Sequence, residues 1–133
     1  MKTTTTNLTN SPEEIITAND NIVIVNYFDG IRGGRTLDVT GFPHKVIRAG
    51  HVIIKTKEGV YKPMPLNEEG NGYTTLPGEN SYAGYLVASI PTSKPFAGIM
   101  VRGTVNPKAT PFPMDSIMEA VKAALPLIDY QED

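Results

Sequence analysis

The sequence of 133 residues contains no cysteine and no tryptophan. Without cysteine the chain can form no disulfide, no thiolate metal site and no cysteine nucleophile. No apolar run approaches the roughly 20 residues that cross a bilayer. Met1-Lys2-Thr3 leads into polar residues rather than into the apolar core of a signal peptide. We therefore expect a protein that is made in a cytoplasm and has no membrane partner.

Charge of either sign is scarce overall and unevenly distributed. The formal net charge is −2, with −2 in residues 1–40, +4 in residues 41–110 and −4 in residues 111–133. Neutralising phosphate requires a basic surface, so this balance argues against nucleic acid as the main partner. A mildly basic middle and an acidic C-terminal part suit self-association or docking on a protein surface better.

The length corresponds to one domain with a single core. Residues 3–10 are uncharged, rich in threonine and asparagine, and contain too little apolar surface to offset the entropy lost on ordering. We expect residues 1–20 to form a flexible N-terminal arm and residues 21–133 to form a single domain. Such an arm is either a passive tail or a segment that adds as a strand to a partner's sheet edge.

Strand patterns dominate the domain. A run of β-branched residues predicts a strand over residues 21–27. Residues 51–62 predict a hairpin that turns at Gly59. Two long apolar segments, 82–90 and 96–105, contain small residues that indicate close backbone approach, as in a small barrel or sandwich.

The second half of the chain adds a long loop and one helix. Residues 63–80, rich in proline, glycine and acidic side chains, predict the loop. Residues 113–125 predict the helix, for which Pro113 suits a first helical position and Ser116 with Glu119 suits a capping box one turn later. The apolar side chains that share one face of this helix are Ile117, Val121, Ala124 and Leu125.

The order of these elements predicts the fold class. Residues 127–130 predict a last short strand after the helix. Strands come first and the one substantial helix comes late, so we expect a mainly β fold with one C-terminal α-helix.

No motif in the sequence predicts a catalytic, metal or cofactor site. His44 and His51 are the only histidines, and zinc would need at least a third ligand, so we interpret them as exposed or hydrogen-bonded structural residues. No serine lies in a G-x-S-x-G context, although serine, histidine and aspartate are all present for an arrangement assembled in space. The glycines of residues 30–34 match neither phosphate-binding spacing. We therefore expect no enzyme activity.

Three motifs follow one another between residues 49 and 127. The first is a Gly-x-Val hairpin with an aromatic-x-Pro return, the second is an apolar strand with an internal glycine, and the third is V-R-G-x-V-N before a proline-rich step and an apolar helix. Their order and spacing resemble the head decoration proteins of lambda-like tailed phages. Residues 33–43 are similar to a subgroup often called head fibre or auxiliary capsid proteins. The matching positions are Gly50, Val52, Tyr61, Pro63, Gly84, Leu86, Val101, Arg102, Gly103, Val105 and Asn106.

The resemblance implies a β-clip-like fold that forms homotrimers at three-fold positions of an icosahedral capsid. It further implies a virion structural protein on the outer capsid surface, whose partner is the major capsid protein of the expanded head. In that family a mobile N-terminal arm orders by pairing with strands of the shell. The arm positions expected to contact the capsid are Thr3, Thr4, Thr5, Thr6, Asn7, Leu8 and Thr9. The strand predicted at 21–27 has no counterpart in the family, so residues 3–10, residues 21–27 or both could touch the shell.

Two other functions compete with decoration. A trimeric β-clip enzyme such as a dUTP pyrophosphatase has a similar size, but it carries a glycine-rich C-terminal motif, and this chain ends I-D-Y-Q-E-D. A head fibre or adhesion module that binds a host glycan could use the 63–80 loop and Tyr73 as its binding edge, with an ordinary surface loop as the simpler interpretation.

Overall fold

The fold is built mainly from β-strands, as the sequence predicts. The computed structural model describes residues 17–132. The strands are β1 (Ile24–Gly30), β2 (Arg35–Thr36), β3 (Val46–Ile47), β4 (Val52–Lys55), β5 (Tyr61–Pro63), β6 (Ser81–Leu86), β7 (Ile90–Pro91), β8 (Phe96–Ala97), β9 (Ile99–Val105) and β10 (Ile128–Tyr130). The helices are α1 (Asp20–Val23) and α2 (Met118–Ala124). Neither of these two helices is long and apolar enough to cross a membrane.

The largest sheet has six strands, and β9 pairs with three of the others. The strand order is β1-β9-β6-β4-β5, and every neighbouring pair in it is antiparallel. β10 pairs with β9 in parallel along residues 103–105, beyond the part of β9 that pairs with β6. β2 with β8 and β3 with β7 form separate two-stranded ribbons. Within the described residues, β1 and β5 are therefore the outer strands of this order, and β10 likewise pairs with one strand only.

Side chains alternate between the two faces of this sheet and fill two apolar clusters. Val52 and Ile54 of β4 belong to one cluster, whereas Ile53 between them belongs to the other. The same alternation separates Tyr85 from Leu86 in β6, as the two-residue period of a strand requires. The first cluster also contains the buried side of α2, so the helix covers one face of the sheet.

The predicted strand over residues 21–27 is wrong in its first half, where the chain forms α1 before β1 begins. The amides of Ile22 and Val23 both donate to the carbonyl oxygen of Asn19 at 3.0 Å, which closes the turn. Val23 is buried, and a Cβ on Gly50 would collide with its Cγ1. Because this packing turns Val23 inward, tertiary contacts override the β-propensity of the segment.

The predicted helix over residues 113–125 begins later than expected, and neither proposed start is used. Pro113 and Ser116 both precede α2, and the residue before the helix is Ile117, which receives no side-chain cap. The amide of Ile117 donates to the carbonyl oxygen of Met114 at 3.0 Å. Both of these apolar residues are buried, so the core holds the chain in a tight turn where the sequence predicted a first helical turn.

The apolar face predicted for the helix is correct at three of its four positions. Ile117, Val121 and Leu125 are buried, whereas Ala124 is exposed. The buried stripe is centred on Val121, so a residue at its margin reaches solvent.

The other predicted elements are confirmed. The hairpin over residues 51–62 is formed by β4 and β5. The apolar segment 82–90 contains most of β6, and the segment 96–105 contains β8 and β9. The long loop covers residues 64–80, one residue fewer than predicted because Pro63 ends β5, and the last short strand is β10.

Candidate functional site

β1 is an outer strand whose pairing with β9 is irregular. Its register is interrupted three times. At one interruption Tyr27 lies opposite Gly103 and Asp29 lies opposite Arg102, which leaves Phe28 as an extra residue. An extra residue in one strand is a β-bulge, which bends the strand and re-aims its side chain. The Phe28 side chain accordingly points away from the core.

This bulge exposes apolar surface on the outer strand. The Phe28 residue is 64% exposed and Tyr27 is 52% exposed. Asp29 and Arg102 are exposed as well, so charged groups flank the two rings. Neighbouring exposed aromatic side chains with a polar surround are typical of a protein interface. We name the surface formed by Tyr27, Phe28, Asp29 and Arg102 the β1 edge.

Three glycines of the phage-like motifs lie where a side chain has no room. A Cβ at Gly103 would collide with the carbonyl oxygen of Asn26 in β1. A Cβ at Gly84 would collide with the carbonyl oxygen of Met100 in β9, and a Cβ at Gly50 would collide with the Val23 side chain of α1. Gly84 and Gly103 therefore allow neighbouring backbones to approach closely, and Gly50 makes room for Val23.

The other motif residues also have structural roles. The Asn106 amide donates to the carbonyl oxygen of Val23 at 2.8 Å, and its Oδ1 accepts from the Lys108 amide at 3.0 Å, so this residue ends β9. The ring of Tyr61 lies 5.6 Å from the guanidinium carbon of Arg35. The remaining motif side chains are Val52, Pro63, Leu86 and Val105, which are buried, and Val101, which is half-buried.

Of the arm predicted over residues 1–20, the structure describes only residues 17–20. Residues 3–9, expected to contact a partner, lie outside the described residues, which begin at Thr17. Asp20 accepts two hydrogen bonds from Ser89, at 2.9 Å from the amide and at 2.8 Å from the hydroxyl. The Ser89 Oγ accepts from the Ala49 amide at 3.0 Å. This network anchors the beginning of the described chain to the turn between β6 and β7.

A cleft of about 760 Å³ opens beside this anchor. Its lining includes the rings of Phe42, His44 and Phe112 and the basic side chains of Lys45 and Arg48. The His44 ring stacks on Phe112 with centroids 6.0 Å apart, and the Phe42 ring meets it edge-on at 5.9 Å. We name this feature the His44 cleft. Its combination of flat apolar surface and positive charge suits an acidic, partly apolar ligand.

The two histidines are both hydrogen-bonded to backbone. His44 Nε2 donates to the carbonyl oxygen of Gly70 at 2.8 Å, and His51 Nε2 donates to that of Met64 at 3.0 Å. His51 is fully buried, its Nδ1 has no hydrogen-bond partner, and burial lowers its pKa to about 4. It is therefore neutral at pH 7. Residues 17–132 contain no group of three or more His, Cys, Asp or Glu side chains arranged to hold a metal ion.

Tyr73 faces the core rather than the solvent. The residue is 8% exposed, and its ring meets those of His51 and Phe112 edge-on at 5.1 and 5.6 Å. Its hydroxyl oxygen accepts from the Val52 amide at 3.2 Å, and burial raises its pKa. The prediction that Tyr73 could form a binding edge is therefore wrong, because the side chain belongs to the interior.

Sequence reasoning missed the aromatic residues at the centre of both surfaces. Tyr27 and Phe28 did carry a signal, since two adjacent aromatic residues at the end of a strand break the alternation of buried and exposed positions. No local signal connects Phe42 with Phe112, because only the tertiary fold brings them to the same cleft.

Comparison with known proteins assigns no family. No protein-family model, no curated protein and no solved structure matches the chain.

Proposed function

We propose that this chain is a non-enzymatic capsid decoration protein of a tailed bacteriophage. It binds as a homotrimer to the outer surface of the expanded head, contacts the major capsid protein and stabilises the shell. The observation that carries the proposal is the β1 edge, where the consecutive residues Tyr27 and Phe28 of an outer strand are both more than half exposed. An exposed aromatic patch of this kind favours a partner protein over a small substrate.

The phage-like motifs give the proposal a second support. They fall on β4, β5, β6 and β9, which are consecutive neighbours in one sheet. Their glycines lie at close approaches within that sheet or against α1. The resemblance therefore concerns residues that build one contiguous framework, and β1, which has no counterpart in the motifs, is added at its edge.

We assign docking to two different kinds of contact. The irregular register of β1 is a poor template for adding another strand, so the β1 edge docks through the side chains of Tyr27 and Phe28. Residues 3–9 are rich in β-branched threonine, which suits addition as a strand to an exposed edge of the shell.

Cementing a shell requires many equal contacts rather than a reaction. A trimer on a three-fold axis presents three copies of the β1 edge and three arms, and a symmetric shell repeats that contact at every equivalent site. Linked contacts raise the overall affinity without any new interaction. A modest individual interface is therefore sufficient for decoration.

The test is co-sedimentation of the purified protein with expanded and unexpanded heads of the phage that encodes it. We expect saturable binding to expanded heads, with bound copies in multiples of three per site. Phe28→Ser should lower the affinity about 30-fold, because a central aromatic residue contributes about 2 kcal/mol to an interface. The matched control is Phe96→Ser, which removes a ring that is 61% exposed but lies on β8, and it should bind like the wild type.

A second variant separates the arm from the β1 edge. Deleting residues 2–10 should leave the melting temperature nearly unchanged and weaken capsid binding. Unchanged capsid affinity after this deletion would move docking to the β1 edge alone.

Two results would contradict decoration. One is absence of the protein from purified virions. The other is failure to bind either form of the head, which would shift the function toward a fibre or host-adhesion role.

A further inference from the structure

We propose that residues 12–16 of this same chain, Pro-Glu-Glu-Ile-Ile, bind in the His44 cleft and so determine where residues 3–10 leave the domain. This goes beyond the proposed function, because it concerns the free protein and requires no capsid. It identifies the His44 cleft as an intramolecular docking site.

The position of the cleft along the chain is the first argument. Asn19 and Asp20 contribute to its lining, and Asp20 is held in place by its two hydrogen bonds from Ser89. Ile16 is three residues before Asn19, which corresponds to at most about 10 Å of extended chain. The segment upstream of Thr17 therefore has to leave from the rim of the cleft.

The chemistry of the lining is the second argument. Lys45 and Arg48 bring positive charge to the cleft, and Glu13 and Glu14 bring negative charge to the segment. Asp20 is the acidic member of the described lining, so the two basic side chains outnumber it.

The third argument is that both the segment and the cleft contain apolar side chains. Ile15 and Ile16 follow the two glutamates and are the nearest of the four along the chain to Asn19. Phe42, Val46 and Phe112 offer half-buried apolar side chains in the cleft. Burying the two isoleucines there removes apolar area from water on both sides of the contact.

Tethering favours this segment over a separate molecule. A segment joined by a few residues has an effective concentration in the millimolar range, so a weak fit is enough to fill the cleft. The same segment from a second copy would have to compete against that local concentration.

The absence of cysteine from the chain makes the test direct. A nitroxide attached to the full-length Ser11→Cys variant should broaden the amide resonances of cleft residues Lys45, Asn71 and Ala109 more strongly than the same label does when Glu13→Lys and Glu14→Lys weaken docking, because an undocked tether brings the label to the cleft only part of the time. It should leave those of Gly59, in the β4–β5 turn, sharp. The label replaces neither a glutamate nor an isoleucine of the docking segment.

Charge reversal then identifies the contact. Lys45→Glu, or Glu13→Lys with Glu14→Lys, should lower the ratio of docked to undocked segment two- to fivefold, as expected for exposed ion pairs. Combining the reversals on both sides should restore the broadening. The matched control is Lys57→Glu, which reverses an exposed lysine in the β4–β5 turn and should have no effect.

Three results would overturn the proposal. One is the absence of broadening at the cleft, and another is broadening that the charge reversals leave undiminished. The third is broadening only when labelled and isotope-enriched molecules are mixed, which would assign the cleft to the segment of a second copy. All of these are measured on free protein, so failure of capsid binding leaves this inference standing, and its own failure leaves decoration standing.

Discussion

β1 and β9 are neighbouring strands of seven residues each, yet their environments are opposite. β9 is buried along most of its length, whereas residues 26–29 of β1 are all exposed. Both strands contain β-branched or aromatic residues, so composition does not distinguish them. β9 has partners on both edges, and β1 pairs only with β9 within the described residues. Burial in this sheet therefore follows the place of a strand in the order more than its hydrophobicity.

The largest effect on the free energy of unfolding is expected for a side chain buried in the interior of the sheet. Leu86→Ala should lower the free energy of unfolding by about 3 kcal/mol, because Leu86 is fully buried and its truncation leaves a cavity. The matched control is Leu127→Ala, since Leu127 is 62% exposed and its truncation should cost less than about 0.5 kcal/mol. Urea denaturation measures both, and equal losses would break the comparison.

The buried residue His51, which precedes β4, should make the free energy of unfolding depend on pH. The unfolded chain takes up a proton at this residue as the pH falls through 6.5, whereas the folded protein resists protonation until about pH 4. Stability should therefore fall by about 3 kcal/mol between pH 6.5 and pH 4 and level off below. In His51→Gln the fall over this interval should be smaller by that amount, and an identical pH profile in the variant would contradict the assignment.

A smaller effect is expected where α1 joins the sheet. Asp20→Ala should lower the free energy of unfolding by about 1 kcal/mol, since it removes two charge-assisted hydrogen bonds at a half-buried carboxylate. Adding Ser89→Ala to this variant should cost little more, because the two residues act as one unit. Full additivity in the double-mutant cycle would show that the pair is not coupled.

The smallest effect on stability is expected at the β1 edge itself. Phe28→Ser should change the free energy of unfolding by less than about 0.5 kcal/mol, because the ring is mostly exposed. Phe96→Ser provides the reference for a similarly exposed ring. A loss above about 2 kcal/mol at Phe28 alone would mean that the ring is already covered in the free protein, and it would place a self-association contact at the β1 edge.

Local sequence patterns predict the elements that depend on interactions between residues close in the sequence. The β4–β5 hairpin needs only the turn around Gly59, where the Thr56 amide donates to the carbonyl oxygen of Val60 at 2.9 Å. The end of α2 was predicted because Pro126 stops the helix. The start of α2 was not predicted, since the burial of Met114 and Ile117 decides it.

The other features depend on contacts between residues that are far apart in the sequence, and local patterns do not predict such contacts. Tyr27 pairs with Gly103, and nothing near either residue identifies the other, so the adjacent aromatic residues signal an irregular strand end but not the bulge against β9. The His44 cleft likewise collects rings from separate loops, including Phe42 and Phe112. The sequence identifies the motif glycines by their spacing, but only the three-dimensional structure shows the close contacts that leave no room for a side chain at Gly84 and Gly103.

The pairing of β1 and β10 with opposite edges of β9 has a practical consequence for engineering. Tyr27 and Ile128 both lie opposite Gly103, which puts them about 10 Å apart, or two strand spacings. β10 runs on from Gly103 towards Val105, so a peptide displayed after Gln131 would leave the sheet near Ile24, at the beginning of β1. The exposed tip at Glu58 and Gly59, on the hairpin that forms the far side of the sheet, is the better insertion point for a displayed peptide.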